Sequence, residues 1–214
     1  MEFYTYFRSS AAYRVRIALN LKGLQADYRY VHLVKDGGQH HKPEYLKLNP
    51  QGLVPALVDD GQVLTQSLAI IEYLDETHPE PSLLPKDAAG RARVRALAQI
   101  VACEIHPVNN LRILKYLEKE FGVDENGRRK WYRHWVIEGF TALEKSLAAN
   151  PSTGRFCHGD QPTLADLCLV PQVFNARRFE VDMESFPTIK RIDDECLKLE
   201  AFSMAAPERQ PDAQ

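Results

Sequence analysis

Between residues 79 and 87 the chain reads Pro79-Glu80-Pro81-Ser82-Leu83-Leu84-Pro85-Lys86-Asp87, and the hydrophobic pattern differs in kind on its two sides. Proline removes a backbone donor and fixes φ, so a segment this rich in it cannot sit inside a helix or a central strand. The segment is read as a linker. It separates a first domain, residues 1–80, from a second, residues 88–205. At 214 residues the chain is long for one compact domain and comfortable for two small ones.

Before the linker, short apolar runs alternate with one-sided helical stretches. Residues 2–7 are an aromatic-rich strand. In 11–22, Ala11, Val15, Ala18 and Leu19 share one helical face, with Arg14 and Lys22 off it, Ser9 or Ser10 as N-cap and Gly23 as the stop. Residues 27–32 form a second strand, completing a right-handed βαβ unit. Residues 33–47 are polar, carry Gly37-Gly38, and read as a loop with room for a short helix. Residues 53–58 form a strand interrupted by Pro55, and Asp60-Gly61 turns the chain into the next strand, 62–65. Ser67 opens a helix to about His78, with Leu68, Ile71 and Leu74 as its stripe. The order βαβ, then ββα, is that of the thioredoxin-like fold. Pro55 then has two readings: a cis-proline at the start of a central strand, leaving the preceding backbone free for a ligand, or an edge-strand proline.

After the linker the pattern is helical throughout. Residues 89–120 read as one long helix bent near Pro107, and 127–149 as another. Thr163-Leu164-Ala165-Asp166 opens a third with a capping box whose acid is aspartate. Pro187 stands at N1 of a last helix ending near Phe202, and 205–214 is a polar tail. The fold class expected is therefore α/β followed by all-α: a thioredoxin-like N-terminal domain and an all-helical C-terminal domain.

Composition narrows function by exclusion. A net charge of −2 argues against broad nucleic-acid binding through phosphate neutralisation. No secretory pattern opens the chain, and no apolar run approaches the roughly 20 residues of a membrane helix. Cys103, Cys157, Cys168 and Cys196 have no C-x-x-C spacing, so neither zinc nor a dithiol motif is expected, and a reducing cytoplasm fits best.

Four segments carry a resemblance: residues 8–19, running from Arg8-Ser9-Ser10-Ala11-Ala12-Tyr13-Arg14 to Leu19; Asn49-Pro50 with Val54-Pro55; Gln66-Ser67-Leu68-Ala69-Ile70-Ile71-Glu72-Tyr73-Leu74; and residues 163–173. In this order and spacing the chain resembles the glutathione transferases up to about residue 205, and most closely their zeta class, which includes maleylacetoacetate and maleylpyruvate isomerases. The resemblance implies glutathione as cofactor, a dicarboxylate keto acid as substrate, a homodimer, and no nucleic-acid or membrane partner.

Physical chemistry gives each implied contact a reason. Val54, before Pro55, would pair its N–H and C=O with the cysteinyl part of the tripeptide, as in strand addition. Gln66 and Ser67, at a helix N-terminus, would hold the γ-glutamyl carboxylate; a plain N-cap is the alternative for Ser67. A free thiol is mostly protonated at neutral pH. A serine hydroxyl and the start of the helix after it would stabilise the thiolate, with Ser9 as the direct donor and Ser10 beside it; the alternative is that both merely cap. The glycyl carboxylate falls to Gln39 or His40, with His40 preferred. From the second domain the resemblance brings His106, with Asn110 and Leu111 beside it. For a dianionic substrate, arginine forks suit the carboxylates: Arg8, Arg112, and Arg178 of the Arg177-Arg178 pair. The catalytic set is Ser9, Ser10, Arg8 and Arg178. The zeta motif commonly has cysteine where this chain has Ala11, which removes any role for a protein thiol there.

The implied reaction is cis–trans isomerisation of a maleyl keto acid, maleylacetoacetate first, to its fumaryl isomer. Thiolate adds to the double bond, the new single bond rotates, and thiolate is expelled; the arginines would stabilise the developing enolate. Competing readings are a maleylpyruvate isomerase, a broad glutathione-conjugating transferase, and a glutathione-transferase-like interaction module without catalysis.

Overall fold

Alternation sets the first strand. In β1 (Glu2–Thr5), Phe3 and Thr5 point inward and are buried, while Glu2 and Tyr4 are half-exposed. In the computed structural model, which describes residues 1–213, β1 pairs in parallel with β2 (Asp27–Tyr30) and antiparallel with β3 (Ala56–Asp59). β4 (Gln62–Thr65) continues from β3 through the Asp60-Gly61 hairpin, giving the sheet order β2-β1-β3-β4. Helix α1 (Ser10–Leu21) makes the crossover, α2 (Pro43–Leu48) precedes β3, and α3 (Ser67–Thr77) follows β4. This is the thioredoxin-like arrangement expected. The Val54–Pro55 bond is cis and lies just before β3, so Pro55 takes no ladder position.

Helix α1 departs from the sequence reading. It is buried almost all round, from Ala12 to Leu19, including Arg14 and Arg16. A single-stripe pattern assumes one covered face. Here α3 lies against one side of α1, and the short helix α9 (Glu200–Ser203) against another. The Lys22 side chain, also expected off the core face, is buried and donates to Asp75 Oδ1, His78 O and Pro81 O.

The chain forms two units, Met1–Leu83 with the segment from Lys198, and Leu84–Leu197. The last helix expected to run to Phe202 ends at Leu197 as α8 (Pro187–Leu197). Leu199 is extended, and α9 follows, with Phe202 in the core of the first unit. Residues 205–213 are not a free tail. Arg16 Nε donates to Ala205 O, Asp212 Oδ2 accepts from the Phe7 N–H, and Ala206 and Pro207 are buried.

In the second unit, α4 (Ala88–Gln99) passes into a wider π turn, Ile100–Ile105, and the helix stops at His106. The expected single bent helix is thus two, with α5 (Leu111–Phe121) beginning after Pro107. Proline offers no N–H to continue the ladder, and π turns often stand at such breaks. The bulged segment presses on α6 (Glu125–Ala148) at Gly139, where a Cβ would lie 2.2 Å from Ile105 Cγ1. Helix α7 (Leu164–Arg178) starts as the sequence predicts: the buried Asp166 carboxylate accepts from the Thr163 N–H and hydroxyl, both at 2.8 Å, and also from the Cys157 N–H. The core of this unit gathers Val94, Leu97, Val136, Phe140, Leu167 and Val170.

Candidate active site

Strand directions collect three segments at one end of the sheet. β1 ends at Thr5, β3 begins opposite Tyr4, and β4 ends at Thr65 opposite Ala56. The Tyr6–Ser9 turn, Val54-Pro55 and Gln66-Ser67 therefore leave the sheet at the same edge, and the N-termini of α1 and α3 rise from it.

Ser9 is the N-cap of α1, and its Oγ accepts from the Ala12 N–H at 3.1 Å. A hydroxyl that accepts one amide keeps its own proton to donate, so capping and a contact to an anion coexist. Ser10 is the first helical residue and is buried. Arg8 is exposed, its guanidinium carbon 5.0 Å from the centre of the Phe7 ring. Ala11 puts a methyl in the first turn, and the sequence of the first unit contains no cysteine.

The segment before β3 is held from behind. Leu53 C=O accepts from the Tyr45 hydroxyl (2.6 Å) and from Asn49 Nδ2 (2.7 Å). Burial raises the Tyr45 phenol, which therefore stays a neutral donor. Val54 lies beyond the end of the ladder, and its N–H and C=O enter no backbone pair among the described residues. Asn49 and Tyr45 were not identified as supports from sequence; the only signal was Asn49-Pro50 at a fixed distance before Val54-Pro55.

Gln66 stands at φ 68°, ψ 116°, an unusual place for a residue with a side chain, and its Nε2 donates to Gln51 Oε1 at 2.9 Å. Ser67 then opens α3, buried, and its Oγ accepts from Arg14 Nη1 at 3.2 Å. Arg14 was assigned no role from sequence. His40 is buried in the loop after β2, beside Gly38, where a Cβ would lie 2.6 Å from His40 Cε1. Gln39 spends its amide on the loop itself, accepting from the His32 N–H and donating to Asp36.

The remaining sequence-predicted residues lie in the second unit. His106 ends the π turn, and Asn110 caps α5 by accepting from the Arg112 N–H at 3.1 Å. Arg112 and Leu111 are exposed. The break is pinned to α6, with Trp131 Nε1 donating to Val108 O at 2.9 Å and Asn109 Nδ2 to Tyr132 O at 3.4 Å. The Tyr132 ring stacks on Phe179 at 3.6 Å, and Arg178 covers the other ring at 5.2 Å. Burial pushes the Tyr132 phenol up to about 12 against the pull of Arg178. The two arginines closing α7 divide: Arg177 pairs with buried Asp193 at 2.5 Å, while Arg178 enters no ion pair among the described residues.

Four free cysteines, no group of three or more potential metal ligands, and no helix long and apolar enough to cross a membrane are found among the described residues. What the first unit offers at this edge is two helix N-termini, a capping hydroxyl at one and a buried cation behind the other.

The family model described as the glutathione S-transferase N-terminal domain matches residues 3–82. A probable maleylacetoacetate isomerase of Vibrio cholerae is 52% identical over 210 residues, 98% of this chain and 97% of that protein. The holo structure of a maleyl pyruvate isomerase, a bacterial zeta-class glutathione S-transferase, matches over 100% of both chains with a TM-score of 0.97 and 54% identity. Maleylacetoacetate isomerase from Methylobacterium extorquens AM1, solved with bound malonate and GSH, matches over 100% of both chains with a TM-score of 0.96 and 45% identity. With the fold, the edge geometry and whole-length relatives in agreement, this chain belongs to the zeta class of the glutathione S-transferase family.

Proposed function

We propose that this chain is a glutathione-dependent cis–trans isomerase of a maleyl keto acid, with maleylacetoacetate as its substrate. The observation that carries the reading is Ser9: its Oγ accepts the Ala12 N–H, so its proton is available at the positive end of α1. Glutathione fits the rest of the edge. The unpaired Val54 backbone matches an extended cysteinyl residue, and the α3 N-terminus with buried Arg14 behind it matches the γ-glutamyl carboxylate. His40 takes the glycyl carboxylate.

When bound, glutathione supplies a nucleophilic sulfur that adds reversibly to the substrate's double bond and is released unchanged. The chain's own residues do the rest. Ser9 donates to the sulfur and favours its anionic form, with Ser10 beside it. Arg8, Arg112 and Arg178 bind the substrate's carboxylates and stabilise charge developing on its carbonyl oxygen. Ala11 provides no protein thiol, so the nucleophilic thiol in this reading is the cofactor's. The protein acts in this reading as a cytoplasmic homodimer.

Ser9→Ala should lower kcat/KM for isomerisation about 100-fold and raise the pKa of bound glutathione, read from thiolate ultraviolet absorbance. It should cost only about 1 kcal/mol of stability through the lost cap. An unchanged isomerisation rate would remove the reading. Maleylpyruvate is the second substrate reading, favoured by the 54% identity to a maleyl pyruvate isomerase; rates on both substrates, with and without glutathione, decide between them.

A further inference from the structure

Arg14 is 2% exposed, and burying a cation without a partner is costly. Its one hydrogen bond among the described residues goes to a neutral hydroxyl, Ser67 Oγ, at 3.2 Å. Nε and Nη2 have no hydrogen-bond partner, and none of the described ion pairs includes Arg14. The hydroxyl it touches opens α3, an 11-residue helix whose first N–H groups are themselves unpaired and electropositive. Two positive features thus meet at one buried serine with no negative charge between them. Such an arrangement is unfavourable until an anion arrives, and then both features favour it.

We propose that Arg14 is a positioning residue for an α-amino-acid carboxylate bound at the N-terminus of α3. Arg14 occupies the acceptor side of Ser67 Oγ, which turns the Ser67 proton outward to the carboxylate. Its charge adds to the helix end without contacting the ligand. The inference rests on the glutathione reading and names the residue that makes the site selective for the γ-glutamyl carboxylate.

The test compares two peptides by calorimetry: glutathione, and its analogue 4-aminobutyryl-cysteinylglycine, which lacks only that carboxylate. The wild-type protein should bind glutathione about 100-fold more tightly than the analogue. In Arg14→Met the ratio should fall by about 10-fold, through weaker glutathione binding and unchanged analogue binding. Arg14→Lys, which keeps the charge, should recover most of it. A structural role would lower the melting temperature of the ligand-free variant. The proposal expects it unchanged or raised, with a smaller upward shift on adding glutathione.

A full wild-type ratio in folded Arg14→Met, or a ligand-free protein strongly destabilised by both Arg14→Met and Arg14→Lys, overturns the proposal. So does a wild-type protein that binds both peptides equally, which leaves the glutathione reading standing. A wild-type protein that binds neither peptide overturns that reading itself.

Discussion

Arg14 and Arg16 sit two residues apart on one helix, both almost fully buried, and their surroundings are opposite. Arg16 has acceptors at every nitrogen: Nε donates to Ala205 O, Nη1 to Thr5 Oγ1 and Tyr6 O, and Nη2 to Phe7 O, at 2.8–3.4 Å. Its guanidinium also lies 5.2 Å from the Tyr13 ring centre. Arg14 has one neutral acceptor. Burial pulls Arg16 down to about 10, so it remains charged at neutral pH, its charge spread over carbonyl dipoles. A buried cation whose donors are all used holds chain segments together. One whose donors are left open, beside a helix start, marks a place for an anion. Charge and burial are the same in both cases; only the count of satisfied donors separates structure from site.

The largest effect expected follows from Arg16. Arg16→Met leaves the carbonyls of Phe7 and Ala205 without their donor, takes one of two donors from Tyr6 O, and should cost about 3–5 kcal/mol in urea unfolding. Arg14→Met, measured the same way, should fall between neutral and about 1 kcal/mol stabilising, because a buried charge with little compensation is removed. Equal losses for the two variants would break the comparison.

An anion in the second unit sharpens it. Asp193 is 1% exposed and has a single strong partner, Arg177, itself partly in solvent. Burial outweighs that partner and pushes the carboxyl up to about 6. The sign follows from proton counts: between the unfolded pKa near 4 and about 6, the folded protein holds a proton the unfolded chain has lost. The stability contributed by this group is therefore present at low pH and lost as pH rises to about 6. Asp193→Asn should gain about 2 kcal/mol relative to wild type between pH 4 and pH 7. Unfolding curves for both proteins at the two pH values check this, and parallel curves would mean that Arg177 compensates Asp193 as fully as the carbonyls compensate Arg16.

Why one arginine of α1 reads as structure and the other as a site was not visible in the sequence. Short-range signals were legible: the Asp60-Gly61 turn, the Thr163–Asp166 box, Ser9 as a cap and Ser67 at a helix start each depend on neighbours within a few residues. The helical stripe of α1 was legible only as one face. Its other sides are covered by α3 and by α9, which arrives from nearly two hundred residues away, so Arg14 looked off the core face and nothing local marked Arg16 as buried. The break at Pro107 was seen as a bend because periodicity cannot distinguish a kink from a π turn followed by a new helix. Residues 205–213 looked like a tail because their burial depends on Arg16 and Phe7, which no local pattern reveals.

That last contact gives the smallest loss of stability expected in this comparison. The Tyr6–Ser9 turn, closed by the Ser9 N–H to Tyr6 O at 2.9 Å, is gripped from two directions. Arg16 holds the carbonyls of Tyr6 and Phe7, and Asp212 Oδ2 accepts the Phe7 N–H at 3.0 Å. Asp212 is only half-buried, so water can replace it in part. Asp212→Ala should cost about 1 kcal/mol in urea unfolding, well below Arg16→Met. Its sharper signature lies in the site. With one of two restraints gone from the segment carrying Ser9, kcat for isomerisation should fall about 3-fold, since small misplacement of an orienting group is felt directly in rate. Asp212→Asn, which keeps an acceptor oxygen, should restore both values. If Asp212→Ala instead proves as damaging as Arg16→Met, the C-terminal segment and not the buried cation is the main support of the turn.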